Sequence, residues 1–153
     1  MMHKSLTLAP LLLLAAACAT GEGMSRADLR ASLNGLQEVP GPGDPDGSGT
    51  AVVRVSPAAS QVCWTLAVRD VDPVTAAHIH RGVAGAAGPP VVTLVTPGAD
   101  GRSEGCVAVD QALARDMVGR SFNYYVNVHN AAFASGAIRG QLRGEARRLR
   151  RGS

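Results

Sequence analysis

Thr75-Ala76-Ala77-His78-Ile79-His80-Arg81-Gly82, continuing through Val83 to Pro90 as VAGAAGPP, decides how the chain folds: two histidines one residue apart run straight into a glycine-rich loop. A β-strand alternates its side chains between two faces, so His78 and His80 share one face while Ile79 points the other way, into a core. Gly82, Gly85, Gly88 and the pair Pro89-Pro90 end that strand and re-aim the chain into the next. A third histidine, His129, lies in Tyr124-Tyr125-Val126-Asn127-Val128-His129-Asn130, where period two places Tyr125, Asn127 and His129 on one face.

Working outward, the same period recurs. Leu29, Ala31 and Leu33 alternate with Arg30, Ser32 and Asn34, and Gly35 closes that strand. Thr50 to Ser56 and Gln61 to Asp70 follow, joined by Pro57-Ala58-Ala59-Ser60, with Val62, Trp64, Leu66 and Val68 lining one face. Val91 to Thr96, Gly105 to Val109, Ser121 to Asn130 and Ala137 to Arg143 bring the expected strands to about eight. One short helix is expected at Gln111 to Val118, with Asp110 as its N-cap and Gly119 as its stop. Pro40 to Gly49 reads as a solvated turn, since its prolines break the aspartate spacing of a calcium loop, and Ala99 to Glu104 reads as a polar connection. Many short strands with one helix indicate an all-β sandwich or barrel.

The first residues carry an address. Lys4, the apolar run Leu6 to Ala17 and Leu14-Ala15-Ala16-Ala17-Cys18 resemble a bacterial lipoprotein signal, in which Cys18 is lipidated after cleavage; secretion after ordinary cleavage is the alternative. The apolar run is too short to span a bilayer. Ala19 lacks the aspartate associated with inner-membrane retention, which favours an anchor in the outer membrane, facing the periplasm or the exterior. Setting Cys18 aside leaves Cys63 and Cys106, each in an expected strand, and an oxidising compartment favours a disulfide between them. The expected organisation is a signal peptide at 1–17, a tether at 18–26, one domain at 27–144 and a basic tail at 145–153. That tail holds Arg147, Arg148, Arg150 and Arg151 within a chain of net charge +3, and reads as a solvated end. Few aromatic residues argue against nucleic-acid binding.

Four blocks carry a family resemblance: Leu33-Asn34-Gly35-Leu36-Gln37-Glu38-Val39-Pro40; Ala77-His78-Ile79-His80-Arg81-Gly82 with Gly88-Pro89; Tyr125-Val126-Asn127-Val128-His129-Asn130; and Ile138-Arg139-Gly140-Gln141-Leu142. Their type and order resemble the CHRD (chordin) domain family. Gly41 stands where a second proline is common, and Ala137 where an acidic residue is frequent. The resemblance implies an extracytoplasmic β-sandwich module, immunoglobulin-like or Greek-key, and implies little about biochemistry. The expectation is a membrane-anchored, non-enzymatic binding or structural module whose partner is an envelope or extracellular protein or polysaccharide.

The histidines offer an alternative. If the strands of His78, His80 and His129 are neighbours, three imidazoles converge in a set suited to copper or zinc, which would make the protein an envelope metal binder. His-x-His followed by glycine and proline also resembles the copper-ligand strand of Cu,Zn superoxide dismutases. Three histidines after export cannot build that four-histidine site with its bridging zinc, so redox catalysis is the weaker expectation. The structural alternative has His78, His80 and His129 bonding loop carbonyls or Asn127, Asn130 and Arg139, and a cation such as Arg139 nearby would oppose a metal. No serine sits in a nucleophile elbow with a spaced acid, so hydrolysis is not supported.

Overall fold

The computed structural model describes residues 26–71 and 73–144. The expected signal peptide, Cys18 and the basic tail lie outside the described residues. Eight strands, β1 (Ala27–Asn34), β2 (Ser48–Ser56), β3 (Gln61–Arg69), β4 (Val74–Arg81), β5 (Pro90–Leu94), β6 (Arg102–Ala108), β7 (Tyr124–Asn130) and β8 (Ile138–Gln141), accompany one α-helix, α1 (Gln111–Gly119). All pairings are antiparallel, and the strands join in a single sheet ordered β5-β4-β7-β8-β1-β2-β3-β6.

That order forces curvature. β3 and β4 stand five places apart, which on a flat sheet with strands about 4.8 Å apart is about 24 Å. The chain from Arg69 to Val74 reaches at most about 18 Å. The sheet therefore wraps until its halves, β6-β3-β2-β1 and β8-β7-β4-β5, face each other across one core. The all-β class and single helix are as expected. The two layers of a sandwich are here continuous, because β8 bonds β1 at Asn34/Arg139 and at the bridge Arg30/Arg143, giving a nearly barrel-shaped sheet.

The inner face follows the alternation of the sequence: Leu29 and Leu33 of β1, Val53 and Val55 of β2, Val62, Trp64 and Leu66 of β3, Ile79 of β4, and Tyr124, Val126 and Val128 of β7 are buried in one cluster. Helix α1 adds Ala114, Met117 and Val118; Asp110 precedes it without a side-chain cap bond. Strand β6 begins at Arg102, inside the stretch read as a polar connection, because its ladder with β3 extends to Ala67/Arg102 although its side chains stay mostly exposed. Ser121–Asn123 is a 3₁₀ turn before β7. Cys63 and Cys106 face each other in the β3/β6 register and form the expected disulfide, closing a separation of 43 residues. One pair along, Gly105 opposes Trp64, and a Cβ there would lie 2.7 Å from the indole. Among the described residues no helix is long and apolar enough to cross a membrane.

Candidate metal centre

Strands β4 and β7 are hydrogen-bonded neighbours, with His80 opposite Tyr125, His78 opposite Asn127 and Ala76 opposite His129. Period two then puts the three histidines on the outer face, back to back with Ile79, Val126 and Val128 in the core. One ring nitrogen from each of His78, His80 and His129 lies within 4.8 Å of the others. The convergence anticipated from the sequence is present.

Two of these rings are held by backbone carbonyls. His80 Nδ1 lies 2.8 Å from the Gly88 carbonyl oxygen, and His129 Nδ1 lies 3.1 Å from that of Ala134. A carbonyl only accepts, so both Nδ1 atoms carry the proton and both Nε2 atoms carry the lone pair. His80 Nε2 is buried and has no partner. His78 Nδ1 stands 3.4 Å from His129 Nε2. Two imidazole nitrogens on one tetrahedral zinc, bonded at about 2.0–2.1 Å, stand about 3.3–3.4 Å apart. The full spread of 4.8 Å is wider than that, so capture of an ion would draw the rings together. Burial, followed by the neighbouring imidazoles, holds His78 below the usual histidine pKa. Burial also lowers His80, against the bond to Gly88 and together with His129 and Arg139. Neutral imidazole is the ligating form.

The outer face on the His80 side is roofed by the chain segments after β1 and β4, while His78 and His129 stay half-exposed. Arg139, 2% exposed, donates to the Val83 and Ala86 carbonyls at 2.9 Å each and lies 3.4 Å over the Tyr125 ring. His80 stacks on Tyr125, with centroids 4.9 Å apart, and the Tyr125 hydroxyl accepts from the Gly88 N–H at 3.1 Å. Gln141 donates to the carbonyls of Gly82, Phe122 and Tyr124. Gly88 permits this close packing, since a Cβ there would sit 1.7 Å from the Arg81 carbonyl oxygen. Asn127 donates to the Glu38 carboxylate and to the Ile138 carbonyl. Burial pushes the Glu38 carboxyl up to about 7, opposed by Asn127 and Arg139.

The segment from Pro40 to Gly49, read as a solvated turn, belongs partly to this roof. Gly43 N–H bonds the Gly35 carbonyl and Asp44 N–H the Ala137 carbonyl, while the Asp44 side chain caps its own loop at Asp46 and Gly47. Asn127 and Arg139 lie on the histidine face; Asn130 does not. Its parity follows Val126 and Val128, and its amide bonds the Val71 carbonyl at 3.1 Å. Glu38, Tyr125 and Gln141 are the site's further supporting residues, all inside the four sequence blocks but without a metal-ligand pattern to mark them. Asp116, from α1, was not signalled: it pairs with Arg81 and Arg120 and accepts from the Tyr124 hydroxyl, fastening the helix to β4 and β7.

No curated protein and no solved structure gives a match to this chain. The family model described as the CHRD domain matches residues 29–142, which takes in β1 from Leu29, the whole of β2 to β8, both roof segments and all three histidines. CHRD is a family of extracellular domains. With most of its length covered by that match, from Leu29 to Leu142, this chain belongs to the CHRD domain family.

Proposed function

We propose that this protein is a non-enzymatic envelope module, tethered through a lipid on Cys18, that holds one copper or zinc ion on His78, His80 and His129. The observation that carries the reading is the buried, partnerless Nε2 of His80, aimed from a ring whose other nitrogen is fixed by Gly88, beside a second ring fixed in the same way by Ala134. Metal-ligating histidines characteristically donate their other N–H to a carbonyl or carboxylate, which sets the tautomer and the ring plane. The same cluster has a metal-free state in which His78 Nδ1 donates to His129 Nε2 and ties β4 to the β7 end. A superoxide-dismutase-like redox enzyme has less support, because the described residues contain one such ligand group and no second one for a bridging metal.

Calorimetric titration of copper and of zinc into the full chain tests this, beside the triple variant His78→Ala/His80→Ala/His129→Ala checked for folding by circular dichroism. One equivalent bound by the wild type, with affinity at least 100-fold weaker in the folded variant, is the expected result. Equal affinity in both proteins would leave the histidines as a structural network and the module as a metal-free interaction domain. Globomycin-sensitive processing of the precursor and loss of membrane fractionation in Cys18→Ser test the anchor.

A further inference from the structure

The junction between β8 and β1, which closes the two halves of the sheet, places like charges directly against each other. Arg30 and Arg143 exchange both backbone hydrogen bonds, Arg30 N to Arg143 O at 2.7 Å and Arg143 N to Arg30 O at 2.8 Å. Residues paired in this way have Cβ atoms about 4.5–5.5 Å apart on the same face, and like charges so placed destabilise the pair. Both side chains are exposed on the outer face. Among the described residues neither makes an ion pair; Asp28, two residues along β1 and opposite Arg54, is not paired with them either. The two guanidiniums border a groove of about 600 Å³ whose other outward side chains are Ser32, Gln37, Thr50, Val52 and Gln141. That volume lies in the range of small-ligand sites.

Two planar guanidiniums with no ion-pair partner among the described residues, beside a groove that mixes hydroxyl groups with small apolar side chains, match a specific chemistry. A carboxylate satisfies the arginines by forked hydrogen bonds, and adjacent alcohols exchange hydrogen bonds with the Ser32 and Thr50 hydroxyls, the glutamine amides being held by backbone carbonyls. We infer that this groove binds a uronic-acid unit of an acidic polysaccharide, with Arg30 and Arg143 clamping its carboxylate. The site is separate from the histidine cluster and does not depend on a metal. The absence of apolar or aromatic side chains larger than valine from its lining favours a polar sugar over an acyl chain or a hydrophobic peptide anchor.

The test titrates the full, isotope-labelled chain with oligogalacturonate and with oligomannuronate, following the Arg30 and Arg143 Nε–H resonances by nuclear magnetic resonance, with methyl-esterified oligogalacturonate as the uncharged control. Both arginine signals should move on binding of a uronate oligomer and stay still with the ester. Arg30→Gln/Arg143→Gln should weaken binding at least tenfold and melt no lower than the wild type, since a repulsive pair has gone. Arg54→Gln/Arg69→Gln removes the same charge from strands β2 and β3 outside the groove and should bind as the wild type does. The inference is overturned if neither oligomer binds, if binding leaves both arginine signals unmoved, or if both double variants lose affinity equally. It is also overturned if anionic phospholipid vesicles bind through the two arginines while uronates do not.

Discussion

The two halves of the sheet obey the same alternation and use it differently. In β3-β2-β1 the inward positions are apolar and the outward ones, such as Arg30, Arg54 and Thr65, meet water, while the edge strand β6 stays mostly exposed. In β8-β7-β4-β5 the inward positions are equally apolar, but outward Tyr125, Asn127, Arg139, Gln141 and His80 are buried as well, under the segments that follow β1 and β4. A polar side chain is cheap on the first outer face and costly on the second unless each donor finds an acceptor. The second face therefore became a hydrogen-bonded layer, and its loops' carbonyls supply the acceptors that orient the histidines.

Exchanging equivalent outward arginines should expose the difference most strongly. Arg139→Met removes the donor to Val83 and Ala86 and leaves Glu38 without its nearby cation, for an expected loss of about 3–5 kcal/mol in urea denaturation. Arg54→Met, exposed on the other half, should change stability by about 0.5 kcal/mol or less. Equal effects would erase the distinction between the halves. The open half has its own fastening at the β6 edge: Cys63→Ala/Cys106→Ala should cost about 2–4 kcal/mol by the same assay.

Glu38 gives the roofed half a pH signature. Its carboxyl titrates near 7 when folded against 4.5 for the ordinary group, so between those values the folded chain binds more of this proton than the unfolded one. The stability it contributes is fully present below pH 4.5 and is lost as pH rises through about 7. Relative to Glu38→Gln, the wild type should lose about 2 kcal/mol across that window. His78 and His80, lowered by burial, act in the opposite direction in both proteins and cancel from the difference. A flat difference curve would show that Glu38 is hydrated in solution. A smaller effect within the roofed half is that of Tyr125→Phe, which keeps the ring beneath Arg139 and removes the acceptor for Gly88 N–H; about 1 kcal/mol should be lost, and metal affinity should fall about tenfold as the Gly88 carbonyl loosens from His80.

How much of this was legible depends on which neighbour decides a residue's fate. Val62, Trp64, Leu66 and Val68 could be read as core because alternation within one strand suffices. His78, His80 and His129 could be grouped because the parity of each strand was right and β4 and β7 proved to be adjacent. Asn130, expected as a hydrogen-bond partner of the histidines, has the opposite parity, and its amide bonds the Val71 carbonyl instead. Strand β6 starts three residues before the Gly105 that alternation predicts, because Arg102, Ser103 and Glu104 lack an inward apolar residue; pairing with β3 makes them a strand. Of the roof, only the bonding of histidines to loop carbonyls was legible, as His80 to Gly88 and His129 to Ala134 show; the burial of Arg139 and Gln141 was not, since it depends on carbonyls 53 to 59 residues away in sequence.

The most direct measurement is X-ray absorption at the metal edge of the purified full chain loaded with one equivalent of copper or zinc. Three imidazole nitrogens at about 2.0–2.1 Å, lost on His80→Ala, are the predicted result. A first shell of oxygen with fewer than two imidazoles, unchanged by His80→Ala, would contradict the assignment of His78, His80 and His129 as the metal site.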